Sequence, residues 1–220
     1  MVSDTLANVT RAVHDVGLAA WLGGSMYGKF ALNPAVAVIP DKAVRGQVTN
    51  KAWNGYNVVN TVGLGAAALG WGAARFTEAR PDNLSGREKA LSLVKDVFMV
   101  SSVVTGFANG VQGGRLAKQA PDGAVPIESG TVPAPETPPA AAKIQRSLGV
   151  LGNLNIASGI ALVATNAVLA QTDHSRPPLK RALGRANSPS DGSSPKALNL
   201  AGIALGLLAA ADEARRSIAD

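Results

Sequence analysis

Two pairs of ionisable residues, His14-Asp15 and Lys95-Asp96, stand out because each is flanked by valine on both sides. Ionisable groups within apolar helices are costly, so they usually pair with one another or take part in moving protons or ions. These residue types therefore predict a polar site in which Asp15 lies near Lys95 and His14 near Asp96. The alternative interpretation is a structural clamp, or interfacial charges in contact with lipid headgroups.

Long apolar elements must position these pairs, and the sequence contains several of them. No charged residue occurs in the ranges 52–74, 97–114 and 147–172. A helix of about 20 residues crosses the roughly 30 Å hydrocarbon core of a bilayer. Charged residues make up only 16% of the chain, compared with about 25% in soluble domains. We therefore predict an all-α fold, an integral membrane helical bundle.

The bundle is predicted to cover residues 1–171, with four transmembrane helices at about 11–31, 54–75, 91–114 and 147–170. Residues 119–142 contain six prolines, which excludes one continuous helix and predicts a mobile, solvated loop. Residues 172–195 are basic and then serine-rich, which predicts a linker. Residues 196–220 predict a short apolar C-terminal helix, and the sequence leaves open whether it forms a fifth span, since its apolar run would be only about 22 Å long.

The four helices are predicted to form two similar hairpins. In addition to the two ionisable pairs, Asn60 and Gly63 in the second helix resemble Asn155 and Gly159 in the fourth. Parallel repeats of this kind place a pseudo-twofold axis along the membrane normal. Asn60 and Asn155 are therefore further polar-core candidates, suited to hydrogen bonds between helices.

Rows of small residues at four-residue spacing predict where the helices pack. Such rows let backbones approach closely in membranes, where lipid removes the hydrophobic drive for helix association. The rows contain Gly24 and Gly28 in the first helix, Gly106 and Gly110 in the third, and Gly202 and Gly206 in the last segment.

The composition argues against an enzyme and against a metal or cofactor site. The chain has no cysteine and only two histidines, so thiolate chemistry is excluded and metal ligands are scarce. No phosphate-binding loop, metalloprotease motif or serine-nucleophile motif is present. We expect a non-enzymatic protein without a cofactor.

The net charge of +6 reflects Lys and Arg residues scattered in loops, without a basic helix face, so nucleic acid is not an expected partner. With four spans, twelve basic residues fall on the side of the N-terminus and seven on the other. The positive-inside rule then predicts a cytoplasmic N-terminus. If the last segment crosses, the counts become ten and nine, and the preference nearly disappears.

One stretch of the first hairpin resembles a known kind of protein. The segment AAWLGGSMYGKFALNPAV, with Arg45 and Tyr56 after it, is similar to the first hairpin of small multi-pass bacterial membrane families of unknown function. The composition, rich in Ala, Gly and Arg, is similar to that of actinobacterial proteins. The resemblance implies a multi-pass protein of the inner membrane.

The sequence thus predicts a structural or accessory component of the cytoplasmic membrane, or of a membrane complex. Its expected partners are membrane lipids, further copies of the chain, or subunits of a complex. The alternatives are a small-solute or proton-coupled carrier that uses the Asp15/Asp96 region, and a soluble Ala/Gly-rich helical protein. A carrier requires a polar cavity at the repeat axis, whereas a scaffold would have that axis packed with Gly, Ala and Val.

Overall fold

The computed structural model describes residues 4–77 and 79–174, and this part of the chain is mostly helical, which confirms the all-α prediction. The long helices are α1 Asp4–Tyr27, α2 Lys42–Phe76, α3 Gly86–Ala117 and α4 Pro139–His174. The predicted C-terminal helix, with Gly202 and Gly206, and the linker beyond residue 174 lie outside the described residues.

The helical path of α1 continues past Pro34, beyond the predicted end of the first helix at about residue 31. It passes through a π-helical turn at Gly28–Leu32, a short α-helix at Asn33–Ala35 and a 3-10 turn at Val36–Val38. Proline clashes with the carbonyl four residues earlier in a regular helix, and the wider π turn gives this ring room. The path ends at Ile39, which is extended, as expected for a residue that precedes a proline.

Helices α2 and α3 begin well before the predicted residues 54 and 91, because their N-caps lie outside the uncharged runs. The Asp41 side chain accepts hydrogen bonds from the backbone N–H groups of Ala43 and Val44, at 2.8 and 3.1 Å. Ser85 and Glu88 form a reciprocal capping box at the start of α3. These caps satisfy N–H groups that a helix start would otherwise leave unpaired.

Helix α1 packs chiefly against α2, in an antiparallel hairpin built on close backbone contact. A Cβ added to Gly17 would lie 2.5 Å from the carbonyl oxygen of Gly63, and one added to Gly63 would lie 2.9 Å from that of Gly17. At Gly70 an added Cβ would lie 2.8 Å from the Cβ of His14. Glycine is therefore required at this interface for the two helices to approach as they do.

Helix α3 packs chiefly against α4 in a second antiparallel hairpin, which is held by polar side chains instead. The hydrogen-bonded pairs, in order along α3, are Lys95–Asn166 at 2.5 Å, Ser101–Ser158 at 2.8 Å, Thr105–Asn155 at 2.8 Å and Gln112–Ser147 at 3.2 Å. Interhelical hydrogen bonds of this type stabilise helix pairs in lipid by roughly 0.6 to 2 kcal/mol each. The two hairpins are therefore similar in shape but differ in what holds them together.

The hairpins join through α1 with α4 and through α2 with α3. Trp21 of α1 is fully buried, and Gly159 of α4 lies so close that an added Cβ would be 3.0 Å from its ring. On the other side, a Cβ added to Gly106 of α3 would lie 2.8 Å from Leu64 of α2. Large side chains on one helix thus fill the space that glycine leaves on its neighbour.

The connection between α3 and α4 folds over the end of the bundle and is partly buried, whereas the sequence predicted a solvated loop at 119–142. It contains an antiparallel pair of short strands, β1 Ile127–Ser129 and β2 Val132–Pro133. A second apolar cluster forms beneath it from Val36, Val125, Ile127 and Ala141. The prolines prevent a helix, as predicted, but the apolar residues between them are buried and order the connection.

Two of the four helices, α3 and α4, are long and apolar enough to cross a membrane. Four transmembrane helices are therefore not confirmed. In α1 the ionisable residues, and in α2 the charged N-terminal turns and the asparagines, lower the mean hydropathy. Length alone does not distinguish them, since all four helices exceed about 20 residues.

We predict that Gly17→Ala destabilises the hairpin of α1 and α2 by about 1 to 3 kcal/mol, because the new methyl group would overlap the Gly63 carbonyl. Thermal or chemical unfolding of the full chain measures this effect. Gly23→Ala is the matched control on the same helix, since its Cβ would meet no atom within 4 Å. The control should gain roughly 0.5 to 1 kcal/mol from better helix propensity. Equal effects of the two substitutions would contradict the proposed packing.

Candidate functional site

The two predicted ionisable pairs lie in one cluster, at the end of the bundle formed by the N-terminal half of α1. All four helices contribute to this charged cluster. Its members are His14 and Asp15 from α1, Trp71 and Arg75 from α2, Lys95 and Asp96 from α3, and Asn166 from α4.

Lys95 occupies the centre of the charged cluster and is only 2% exposed. Its Nζ donates to Oδ1 of Asn166 at 2.5 Å and lies 3.9 Å from the centre of the Trp71 ring. The Nδ2 group of Asn166 donates in turn to Oδ1 of Asp15 at 2.9 Å. The predicted neighbours Asp15 and Lys95 are thus connected through an amide, and the indole adds a cation–π interaction.

Asp96 is held by residues that the sequence pattern did not assign to it. Trp71 donates its indole N–H to Oδ1 at 2.7 Å, and the Arg75 guanidinium lies 3.1 Å from Oδ2. The predicted pairing of Asp96 with His14 is therefore wrong. His14 instead donates from Nδ1 to the carbonyl oxygen of Ala67 at 2.5 Å, and its ring lies 6.5 Å from that of Trp71.

Asp15, Lys95, Asp96 and Asn166 have polar partners within the charged cluster, and this supports the structural-clamp interpretation. The buried Nε2 atom of His14 has no hydrogen-bond partner among the described residues. A buried ammonium group requires a compensating partner, and Lys95 contacts side chains of two other helices. Neither of the two cavities described below is lined by His14, Asp15, Lys95 or Asp96. Among the described residues, no group of three or more His, Asp or Glu could hold a metal ion.

A cavity of about 270 Å³ lies at the opposite end of the bundle, between the two hairpins. Eight amide side chains line this cavity, which we call the amide cavity: Asn33, Asn50, Asn54, Asn57, Asn60, Asn109, Gln145 and Asn155. Lys29 is the one charged residue among the described residues that line it. The cavity therefore offers several hydrogen-bonding amides and a single charge, although more of its surface is apolar than polar.

Glycines create the space of the amide cavity. Gly110 and Gly152 both line it, and a Cβ added to either would meet no atom within 4 Å. The Trp53 side chain forms part of the wall, and its indole N–H donates to Oδ1 of Asn33 at 3.1 Å. This hydrogen bond fixes the orientation of the indole across the gap between α2 and the end of α1.

A second cavity, of about 310 Å³, adjoins the first and shares Lys29, Asn33, Thr131 and Gly149 with it. Arg146 of α4 lines only this second cavity. Both cations thus line the second cavity, which also has two amides, Asn33 and Asn153, whereas Lys29 alone of the two cations lines the amide cavity.

The connection between α3 and α4 covers the amide cavity and is anchored by ion pairs. Lys42 lies 3.0 Å from Glu128 and 3.3 Å from Glu136, and Arg45 lies 2.8 Å from Glu128. The hydrogen bond from Lys42 lowers the pKa of Glu128, and Arg45 adds to this effect. The pKa of Lys42 is raised mainly by the same hydrogen bond. A shift of each partner towards its charged form indicates mutual stabilisation.

The predicted polar-core asparagines lie at the amide cavity rather than at the charged cluster. Asn155 is buried and donates to the carbonyl oxygen of Ser102 and to the hydroxyl of Thr105, at 3.1 and 2.8 Å. Asn60 lines the cavity, and its Oδ1 has no hydrogen-bond partner among the described residues. The resemblance between the two segments thus does not extend to equivalent bonding.

The predicted packing glycines divide between contacts and open space. A Cβ added to Gly24 would overlap the Tyr56 hydroxyl, and one added to Gly28 would lie 2.2 Å from the Trp53 ring. Gly106 faces Leu64, as described above. Gly110 does not make the predicted helix contact, because the helices have separated at the cavity that it lines.

Sequence reasoning did not find Asn166 as a partner of Lys95, nor Gln145 and Thr49 as cavity residues. A single amide in an apolar run carries no motif, although Asn166 is one of the few polar residues in residues 147–172. The density of asparagine in residues 50–60 was the available signal for the cavity. Polar residues in otherwise apolar helices tend to face the interior of a bundle.

Comparison with known proteins gives no similarity from which a function could be transferred: no family model, curated protein or solved structure matches the chain. The resemblance of the first hairpin to small multi-pass families stays a prediction. The charged cluster and the amide cavity are therefore the two features of the fold that bear on function.

We predict that Asn166→Ala destabilises the protein by about 1.5 to 3 kcal/mol, because it removes a hydrogen-bond acceptor from the buried Lys95. Asn153→Ala, at an exposed amide on the same helix, should change stability by less than about 0.5 kcal/mol. Unfolding transitions of the two variants measure the difference. A silent Asn166→Ala substitution would show that the charged cluster does not hold the helices together.

Proposed function

We propose that the protein is a non-enzymatic multi-pass protein of the cytoplasmic membrane, whose four helices all cross the bilayer. Its role would be that of a structural or accessory component. Its partners would be membrane lipids, together with further copies of the chain or subunits of a membrane complex.

The observation that carries this proposal is the distribution of side chains around α3. One face of this helix is apolar and exposed to the surroundings of the bundle, where it presents Leu93, Val97, Val100, Val104 and Phe107. The buried face contains Ser92, Lys95, Met99, Ser102 and Thr105. A helix in water would bury the apolar face instead. In lipid, an apolar exterior around a hydrogen-bonded interior is the expected arrangement.

The other helices carry the same outward apolar surface. Large exposed apolar side chains include Val16 on α1, Val58, Val62 and Leu69 on α2, and Val150 and Val163 on α4. A soluble monomer rarely exposes a continuous apolar patch of more than a few hundred Å². The exposed apolar side chains of all four helices therefore support a bilayer as the solvent of the bundle.

The crossing of α1 and α2 is supported by their contacts with the apolar pair α3 and α4. Lys95 and Asn166 link α3 and α4 to Trp71 of α2 and Asp15 of α1 within the charged cluster. Asp15 of α1 and the Trp71 indole of α2 thus have polar partners in this interior, so these groups need not contact lipid. The excess of basic residues on the side of the N-terminus favours a cytoplasmic charged cluster and an amide cavity on the outer side.

A carrier of small solutes is the second candidate, and one observation favours it. A cavity lined by amide side chains lies between the hairpins, where a scaffold would be expected to pack Gly, Ala and Val. This cavity does not include the Asp15/Asp96 region, which lies at the other end. Proton coupling through those carboxylates therefore gains no support from the cavity.

We expect the protein to remain in the membrane pellet after carbonate extraction, because its apolar exterior is solvated by lipid. Full release into the supernatant would contradict the proposal.

The substitution Val100→Lys tests the same point at one residue. It should cost roughly 2.5 to 3.5 kcal/mol if Val100 faces lipid near the middle of the bilayer, whereas it would cost less than about 0.5 kcal/mol on a surface exposed to water.

The matched control is Val132→Lys, the same replacement at an exposed valine of β2 outside the proposed spans. Its abundance and stability in the membrane should equal those of the unsubstituted protein. Equal tolerance of lysine at residues 100 and 132 would contradict a lipid-facing α3.

A further inference from the structure

The wall of the amide cavity contains buried polar atoms without partners. Gln145 of α4 is fully buried, and neither its Oε1 nor its Nε2 is hydrogen-bonded to any described residue. The buried hydroxyl of Thr49 and the Oδ1 atom of Asn60 are in the same state. All three residues line this one cavity.

Such groups are costly to bury unless something inside the cavity bonds to them. Gln145 offers an amide donor and an amide acceptor, Thr49 a hydroxyl that can act as either, and Asn60 an acceptor. A guest that satisfies all three must both donate and accept hydrogen bonds at several points. Hydroxyl groups do both, whereas a carboxylate only accepts and an ammonium group only donates.

The remaining wall agrees with a neutral, hydroxylated guest. Among the described lining residues there is no carboxylate, and Lys29 is the one cation. The Trp53 indole adds a flat apolar surface of the kind that packs against C–H groups. The open space at Gly110 and Gly152 lets a guest approach the backbones of α3 and α4.

The volume limits the size of the guest. A cavity of about 270 Å³ is close to the lower end of small-molecule sites. At about 30 Å³ per water molecule it corresponds to roughly nine waters. A guest that replaces them would contain on the order of ten non-hydrogen atoms, the size of a monosaccharide or a hexitol.

We propose that the amide cavity binds a neutral polyhydroxylated solute of monosaccharide size, with Gln145, Thr49 and Asn60 as the residues that hydrogen-bond to it. This proposal goes beyond the membrane role above and does not depend on whether α1 and α2 cross the bilayer. It assigns a binding site and a ligand class to the end of the bundle away from the charged cluster.

The experiment uses the full chain, purified in detergent, with sorbitol, myo-inositol and glucose as probes and with inorganic phosphate as the anionic comparison. Calorimetric titration measures binding, because polyols also stabilise folded proteins non-specifically through exclusion from the surface. We expect saturable binding of at least one neutral probe. Gln145→Leu should weaken it by about tenfold to a hundredfold, since one buried polar partner is lost.

Two further variants keep the result interpretable. Gln112→Leu is the matched control: Gln112 hydrogen-bonds to Ser147 at 3.2 Å and does not line the cavity, so probe binding should be unchanged. Gly152→Leu places a side chain in the open space of the cavity and should abolish binding even if Gln145→Leu fails to fold.

Absence of saturable heat with every neutral probe would overturn the proposal and leave a cavity filled by ordered water. Binding that survives both Gln145→Leu and Gly152→Leu would also overturn it, because the guest would then lie elsewhere. Binding of phosphate in place of the neutral probes would assign the site to the cations Lys29 and Arg146 and contradict a neutral ligand.

Discussion

The inward-facing polar side of α3 is the constraint on which the arrangement of the four helices depends. Lys95 is buried on this side, so its ammonium group needs partners inside the bundle. Those partners are Asn166 and Trp71, and Asn166 extends the contact to Asp15. Each partner comes from a different helix, which ties the two hairpins together at one end. The opposite face of α3 is left apolar and outward, and the proposed bilayer environment rests on this face.

The two hairpins are held together by different contacts, and this difference explains why the amide cavity forms between them. Gly17 and Gly63 bring α1 and α2 into backbone contact, whereas Asn155 and its neighbours bridge α3 and α4 with side chains. Between the pairs, Trp21 fills the middle of the bundle. Beyond it, glycines and amides provide no comparable bulk, so the hairpins enclose the amide cavity there. The ordered connection between α3 and α4 then covers this space, held by Lys42 and Arg45.

The sequence predicted the helical class, and the number and approximate centres of the four helices. It did so because a long uncharged run occurs where a helix is buried or in contact with lipid. It placed the start of α2 too late, because the charged turns after Asp41 were treated as a loop although Asp41 caps them. It also joined His14 to Asp96, since a repeat pattern gives no information about Arg75, which competes for the same carboxylate. The cavity could not be predicted, because it depends on how closely glycines let neighbouring helices approach.

The most direct test of the account is the environment of the outer face of α3. The chain has no cysteine, so a single Val100→Cys substitution allows one nitroxide spin label to be attached in the reconstituted protein. Collision rates with oxygen, which concentrates in lipid, and with a water-soluble nickel complex then report the solvent of that face. The account predicts high oxygen accessibility and low nickel accessibility at residue 100, with the reverse for a label at residue 132. Equal nickel accessibility at the two residues would contradict a bundle that turns its apolar face towards lipid.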